Sequence, residues 1–331
     1  MKLATLREGS RDGTLIVVSR DLVHGVRVRG IVPTLQCALD DWAQVAPRLE
    51  SVYAALNQHP THTVQGAFAL DVQALAAPFP RAYEFLDGSS YLAHVERVRQ
   101  ARGATVPETF YTDPLMYQAT CGGFLAARDP IVIPDDRFGL DLEAEVIVVT
   151  DDVPMATDAA QASSHIRLLG LVNDVSLRNL IPVEIAKSLG FVQSKPRSAL
   201  SPVLATPDEL GTAWAGDKVH LPMRTWINGK WFGAAEAGED MQFNFAQLIA
   251  HAARTRPLVA GTLIGSGTVA NHDTAKGNSC IAGRRSVETL HGGAPVTPFL
   301  RYGDTVKIDM LDRDGRSIFG AIDQCIRPLA E

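Results

Sequence analysis

Two glutamates separated by a single residue, in Asp141-Leu142-Glu143-Ala144-Glu145-Val146-Ile147-Val148-Val149, are the acids in this sequence whose spacing most directly suggests chemistry. Side chains along a strand alternate between faces. Leu142, Ala144, Val146 and Val148 therefore share one face, and Glu143 and Glu145 the other. Neighbouring carboxylates repel each other, and a hard dication with oxygen ligands would remove that penalty. A strand face open to water would tolerate the same two acids, so the pattern alone admits both readings.

Further candidates lie on either side. Leu171-Val172-Asn173-Asp174-Val175-Ser176-Leu177-Arg178 reads as an apolar strand ending in an acid, with a guanidinium four residues on. An acid there could ligate an ion or simply cap the next turn. Asp113 precedes Pro114 in Phe110–Tyr117, a pairing typical of turns. Ile264-Gly265-Ser266-Gly267-Thr268 is a glycine-rich loop after a β-branched run, able to bring backbone close to a ligand's oxygens, but it has neither Walker nor GxGxxG spacing. Lys195 stands alone before Pro196. None of the nine histidines falls in an HExxH pattern, and no GxSxG elbow occurs. The four cysteines, Cys37, Cys121, Cys280 and Cys325, are widely separated with no CxxC pair, which argues against a zinc cage or a disulfide framework.

These residues need a scaffold, and the 331-residue chain has the composition to build one: 46% hydrophobic and 21% charged, with a formal net charge of −6. No long basic run points to nucleic acid. No apolar stretch approaches the roughly 18 residues of a membrane span, and Met1–Arg7 is not followed by an apolar signal segment. The expectation is a reduced, cytoplasmic protein. Residues 13–32 read as a hairpin turning near His24-Gly25. Leu35, Leu39, Trp42, Leu49, Val52, Tyr53 and Leu56 recur at helical spacing, with a break or kink expected at Pro47. A second helix follows Gly88, presenting Tyr91, Leu92, Val95 and Val98. Strands dominate after Pro107, among them 131–133, 143–150 and 168–175, a hairpin around Asn228-Gly229, and a pairing of 306–310 with 317–322. Asn244 with Gln247 forms a helix-capping pattern. The elements do not alternate regularly, which favours α+β. A domain boundary is placed near residue 105, giving a small N-terminal domain (1–105) and a larger one (106–331).

Taken in order, the segments around Asp113, Glu143-Ala144-Glu145, Asn173-Asp174-Val175-Ser176-Leu177-Arg178, Lys195 and Gly267-Thr268 resemble the fumarylacetoacetate hydrolase family, from about Tyr111 to Arg327. The N-terminal part resembles that of its longer bacterial members. The resemblance implies a mixed β-sandwich roll, a homodimer, and a Mg²⁺ or Ca²⁺ site, with Mn²⁺ also admissible. Asp113, Glu143, Glu145 and Asp174 would be the metal ligands. Lys195, Thr268 and Arg178 would support catalysis, and Tyr117, Arg128, Gly267, Ile181 and Ile185 would line the substrate. The implied substrate is a small dicarbonyl acid, fumarylacetoacetate-like or acylpyruvate-like, cleaved hydrolytically at a C–C bond through a metal-stabilised enolate.

The match has gaps. The family's general-base His lies seven residues after the first Asp; counted from Asp113, that position is Thr120. The Glu that orients this His falls near Ala282-Gly283. A substrate-binding Gln and Tyr fall on Ile181 and Ile185, and Arg128 and Lys195 each need a one-residue gap. His272, just beyond the Gly267-Thr268 loop, is a candidate substitute base. Without that His, a 2-oxo acid decarboxylase, hydratase or isomerase is the alternative enzyme, and a metal-stabilised binding protein without turnover the alternative of another class.

Overall fold

The computed structural model describes residues 1–58 and 64–330. The first part of the chain forms β1 (Lys2–Ser10), β2 (Gly13–Val18), β3 (His24–Arg27), α1 (Leu35–Asp40), α2 (Trp42–Gln58), β4 (Ala67–Ala69), β5 (Phe85–Gly88), α3 (Leu92–Ala101) and β6 (Met116–Gln118). The middle forms β7 (Ile131–Ile133), β8 (Leu140–Asp141), β9 (Ala144–Thr150), α4 (Ala159–Ala162), β10 (Ile166–Asn173), β11 (Ser176–Leu177), α5 (Ile181–Ile185), β12 (Ala199–Leu200), β13 (Leu204–Ala205), β14 (Trp214–Ala215) and β15 (Lys218–Val219). The last part forms β16 (Pro222–Ile227), β17 (Lys230–Glu236), α6 (Phe245–Ala252), β18 (Leu263–Gly265), α7 (Ile281–Gly292), β19 (Thr305–Asp309) and β20 (Ile322–Pro328).

Two mixed sheets carry the fold. The larger has 11 strands in the order β4-β3-β2-β1-β13-β10-β9-β18-β5-β6, with β12 beside β10. The smaller runs β17-β16-β19-β20-β7. Only the β5–β18 and β7–β20 ladders are parallel among those described. The sheets face each other through Val146, Val148, Leu169 and Leu171 of the larger and Met223, Val306, Ile308 and Ile322 of the smaller. The opposite face of β9, through Ile147 and Val149, packs on Leu3, Leu15, Leu49 and Tyr53. A strand buried on both faces reads as an unbroken apolar run, and β9 does so after Glu145. The fold is the expected α+β type.

Local expectations mostly hold, with three corrections. Pro47 lies inside α2 without ending it; the break falls at Asp41 (φ −137°), between α1 and α2. A proline removes a single backbone donor, which the packing of Val45, Leu49 and Tyr53 outweighs. The strand returning to β19 is 322–328, not 317–322. Thr305 pairs with Cys325, while the Ser317 hydroxyl is drawn off to Asp309 Oδ1 at 2.6 Å. The first hairpin turns at residues 19–23, ahead of His24 and Gly25, which lie inside β3 with Gly25 opposite Val18. The hairpin at Asn228-Gly229 is as expected, both residues having positive φ (51° and 71°), as a type I′ turn requires. Asn244 and Gln247 form the reciprocal cap of α6.

The expected seam near residue 105 does not coincide with a sheet edge. β5 lies before it, yet it pairs directly with β18 and β6, which lie after it.

Candidate active site

Four strands bring acids to one place. Asp87 sits near the end of β5, Glu145 on β9, Asp174 just beyond β10, and β18 runs between β5 and β9. In register, Gly265 faces Asp87 on one side and Ile147 on the other, and Val172 faces Glu145. Asp87, Glu145 and Asp174 can each offer an oxygen within 4.8 Å of the other two, and all three are buried. Gly265 makes this approach possible: a Cβ there would stand 2.2 Å from Asp87 Oδ1. Gly267 (φ +81°) turns the loop so that its N–H donates to Asp87 Oδ1 at 3.2 Å.

Beside this trio lies a hydrogen-bonded shell. Lys195 Nζ donates to Glu143 Oε2 at 2.6 Å and to Asp174 Oδ2 at 2.5 Å. Glu143 Oε1 accepts from Arg178 Nη2 (2.6 Å) and Thr268 Oγ1 (2.8 Å). Asp174 also accepts from Tyr117 OH (2.5 Å) and Ser198 Oγ (2.6 Å). Asp141 holds Arg178 through Nε at 2.8 Å and accepts the first N–H groups of α7, from Ile281 and Ala282. Thr120 Oγ1 donates to the Lys195 carbonyl at 2.8 Å and so helps fix that lysine.

Glu145 is the exception. It is fully buried, and neither carboxylate oxygen has a hydrogen-bond partner. A buried charge without a partner is neutralised or answered by a cation. The carboxylate-only donor set matches a hard, oxygen-seeking ion of the Mg²⁺, Ca²⁺ or Mn²⁺ kind rather than a thiol-seeking one. The residues present fit such an ion.

A cavity of about 410 Å³ opens over these acids. His94, on α3, lines it. Its ring nitrogen, a Glu143 oxygen and Cys280 Sγ lie within 4.8 Å of one another, with Nδ1 4.0 Å from the sulfur. Burial holds the His94 pKa down at about 4; Glu143 pulls it up, and Arg178, Arg97 and Arg102 push it further down. The imidazole is therefore neutral near pH 7 and can accept a proton.

The structure brings together Glu143, Glu145, Asp174, Arg178, Lys195, Tyr117, Gly267 and Thr268, and sets Ile181 and Ile185 in the cavity wall. It separates three others. Asp113 is exposed, its carboxylate 3.4 Å from His251 Nδ1, because it ends a 3₁₀ turn on the surface. Arg128 pairs with Asp323 at 2.6 Å, away from the cavity. His272 is a surface residue between Glu96 and Asp240, each at 3.1 Å. Glu143 borders the acid trio, since its oxygens are taken up by Arg178, Lys195, Thr268 and Ser176.

Asp87 and His94 escaped the reading of the sequence, yet a signal for them was present. They are seven residues apart in Asp87-Gly88-Ser89-Ser90-Tyr91-Leu92-Ala93-His94, the spacing sought from Asp113. Counted from Asp87, the seventh residue is His94 rather than Thr120. No carboxylate corresponds to the expected orienting Glu; Ala282 lines the cavity and Cys280 is what touches His94.

Clustered acids have a consequence for the metal-free protein. Burial first, then the Asp174 charge, raises Asp87 to about 8, against the pull of the Lys195 charge. Burial, followed by the charges of Asp87 and Asp174, holds Glu145 well above the usual carboxylate range. A carboxyl with a raised folded pKa contributes stability below its unfolded pKa and loses it as pH rises toward the folded value. Metal-free protein should thus lose stability from about pH 4 to about pH 8. Glu184 and Glu288, lowered to about 2, act only below this window. Melting in chelator at pH 5 and pH 8 measures the effect, and added Mg²⁺ should recover the loss. An unchanged Tm in chelator would contradict the buried cluster.

Comparison with known proteins extends this picture. The sequence profile described as Fumarylacetoacetate (FAA) hydrolase C-terminal matches residues 85–327, and that described as Fumarylacetoacetase N-terminal domain 2 matches residues 1–81. A 2,4-didehydro-3-deoxy-L-rhamnonate hydrolase from Sphingomonas sp. (strain SKA58) is 30% identical over 162 residues, 47% of this chain and 53% of that protein. The chain thus spans about half the length of this curated relative in the match. Among solved structures, a protein named as a probable 2-hydroxyhepta-2,4-diene-1,7-dioate isomerase from Mycobacterium abscessus superposes with a TM-score of 0.67 at 18% identity, covering 100% of both chains. Maleylpyruvate hydrolase from Sphingobium sp. SYK-6, in complex with manganese(II) and pyruvate, gives 0.63 at 16% identity, also over 100% of both chains. At these identities the structures establish the shared fold. Among the described residues, no helix is long and apolar enough to cross a membrane.

Proposed function

We propose that this chain, which belongs to the fumarylacetoacetate hydrolase family, is a metal-dependent hydrolase cleaving a C–C bond in an acylpyruvate-like or fumarylacetoacetate-like dicarbonyl acid. The observation that carries this is the convergence of Asp87, Asp174 and the unpartnered Glu145 beneath a cavity that also holds a neutral imidazole. A Mg²⁺, Ca²⁺ or Mn²⁺ ion held by these three acids would supply Lewis acidity toward the substrate's paired oxygens.

The chain's own groups account for the rest. His94 Nδ1 faces Cys280, which leaves Nε2 to take a proton from water. The water oxygen adds to the acyl carbonyl carbon. The C–C bond then breaks, its electron pair passing to the 2-oxo acid fragment as an enolate, and the proton on His94 returns to that carbon. The products are a carboxylic acid and a 2-oxo acid. Lys195, a cation held by Glu143 and Asp174, places positive charge where the oxyanion develops. Arg178 acts one step back, fixing Glu143 between itself and Thr268.

Acetylpyruvate with Mg²⁺ is expected to give acetate and pyruvate in equal amounts, read by coupled assay or NMR. Absence of turnover with Mg²⁺, Mn²⁺ and Ca²⁺ alike would overturn the hydrolase reading. The second reading is a decarboxylase, hydratase or isomerase using the same enolate; an isomerase is among the proteins of this fold. CO₂ release from oxaloacetate without acylpyruvate cleavage would select the decarboxylase. An imidazole in the cavity wall favours the hydrolase over that alternative and over a non-catalytic binding protein, both of which rest on the want of a base. A second copy of the chain, forming a homodimer, is the proposed macromolecular partner, to be tested by sedimentation.

A further inference from the structure

Beyond the acids, the cavity changes character. Helix α3 runs along it, presenting Tyr91, His94, Val98 and Arg102 to it in turn. From His94 to Arg102 this is roughly 12 Å at 1.5 Å per residue. A 2-oxo acid head group fills only the inner part of that length. The outer wall is Val98, Leu115, Met116, Ile181, Ile185 and Phe191. Resting on the dicarbonyl-acid reading above, we propose that the substrate's acyl group is apolar, an alkyl chain or aryl ring seated on these six side chains, and not a second carboxylate.

Three observations carry this. The apolar wall begins at the acids themselves: Phe191 packs edge-on against Tyr117, with centroids 5.0 Å apart at 88°, and the Tyr117 hydroxyl bonds Asp174. Next, Leu115 and Ile185 line the cavity while 50% and 52% exposed. That is apolar surface a ligand would remove from water. Finally, the inner cations are committed: Lys195 to Glu143 and Asp174, Arg178 to Asp141 and Glu143. Arg102 stands at the cavity lining but is exposed. An attraction between solvated charges is worth roughly fivefold in affinity at most. Each methylene buried on the wall is worth roughly three- to fourfold, so two or more outweigh the guanidinium.

The test is a series of acetyl-, butanoyl- and hexanoylpyruvate, with fumarylpyruvate as the dicarboxylate, all with Mg²⁺. The expected kcat/KM rises roughly 100-fold from acetyl to hexanoyl, exceeds that for fumarylpyruvate, and flattens along the series in Ile185→Glu, a substitution at a half-exposed position that the fold should accept. A flat series in the native protein, or preference for fumarylpyruvate, would overturn the proposal. If no acylpyruvate is cleaved, the hydrolase reading fails separately. Calorimetry with Mg²⁺ and pyruvate, 2-oxohexanoate and 2-oxooctanoate then decides: affinity increasing with chain length sustains the apolar subsite, and equal affinities overturn it.

Discussion

Asp87→Ala is expected to lose divalent-ion affinity by more than the roughly 10–100-fold that removal of a supporting group costs, and to lose turnover with it, while Asp113→Ala changes neither. Asp87 contributes one of three buried oxygen donors, and its loss leaves Glu145 and Asp174 facing the ion alone. Asp113 is 64% exposed and meets only a half-exposed imidazole, an arrangement worth ~0–1 kcal/mol. The fold should survive. In chelator at pH 8, Asp87→Ala is expected to melt above the native protein, because one of the mutually repelling buried acids is gone. Calorimetric titration with Mn²⁺ and melting in chelator measure the two effects. Retained affinity in Asp87→Ala, or lost affinity in Asp113→Ala, would return the ion to a different set of ligands.

His94→Ala should lower kcat on acylpyruvate by roughly 10²–10⁴-fold, the usual contribution of a positioned base, with ion affinity changed only a few-fold. His272→Ala should leave kcat unaltered, since His272 lies on the surface between Glu96 and Asp240. The pairing matters because both histidines follow an acid or a glycine-rich loop in sequence, and only burial in the cavity wall distinguishes them. An undiminished kcat in His94→Ala would show that water is activated without this imidazole. Loss of ion binding together with kcat would make His94 a support for the acids instead.

Much of the site is legible in the sequence. The two-residue period of a strand puts Glu143 and Glu145 on one face whatever the rest of the chain does, because alternation is a property of the extended backbone. Asp174 at a strand end, Arg178, Lys195 and the Gly267-Thr268 loop were recognisable by order. The turn at Asn228-Gly229 and the cap at Asn244 also follow from local chemistry and were found where expected.

Whether Glu143 and Glu145 faced water or protein was not local. Their face is buried because β9 lies in the middle of an 11-stranded sheet, and that same face, through Ile147 and Val149, packs on residues from β1, β2 and α2. The same long-range pairing made Asp87 part of the site. Asp87 lies in a four-residue strand, too short to announce itself by period, and it reaches Glu145 only because β5 pairs in parallel with β18, which pairs with β9. The spacing of Asp87 to His94 was in the sequence, but so was Asp113 ahead of a turn, and nothing local ranks one above the other. The sequence by itself therefore determined the residue types, and through local backbone geometry their faces and turns. Strand register decided which distant acids share one ion, because a shift of one position would turn Asp87 to the other face of the sheet.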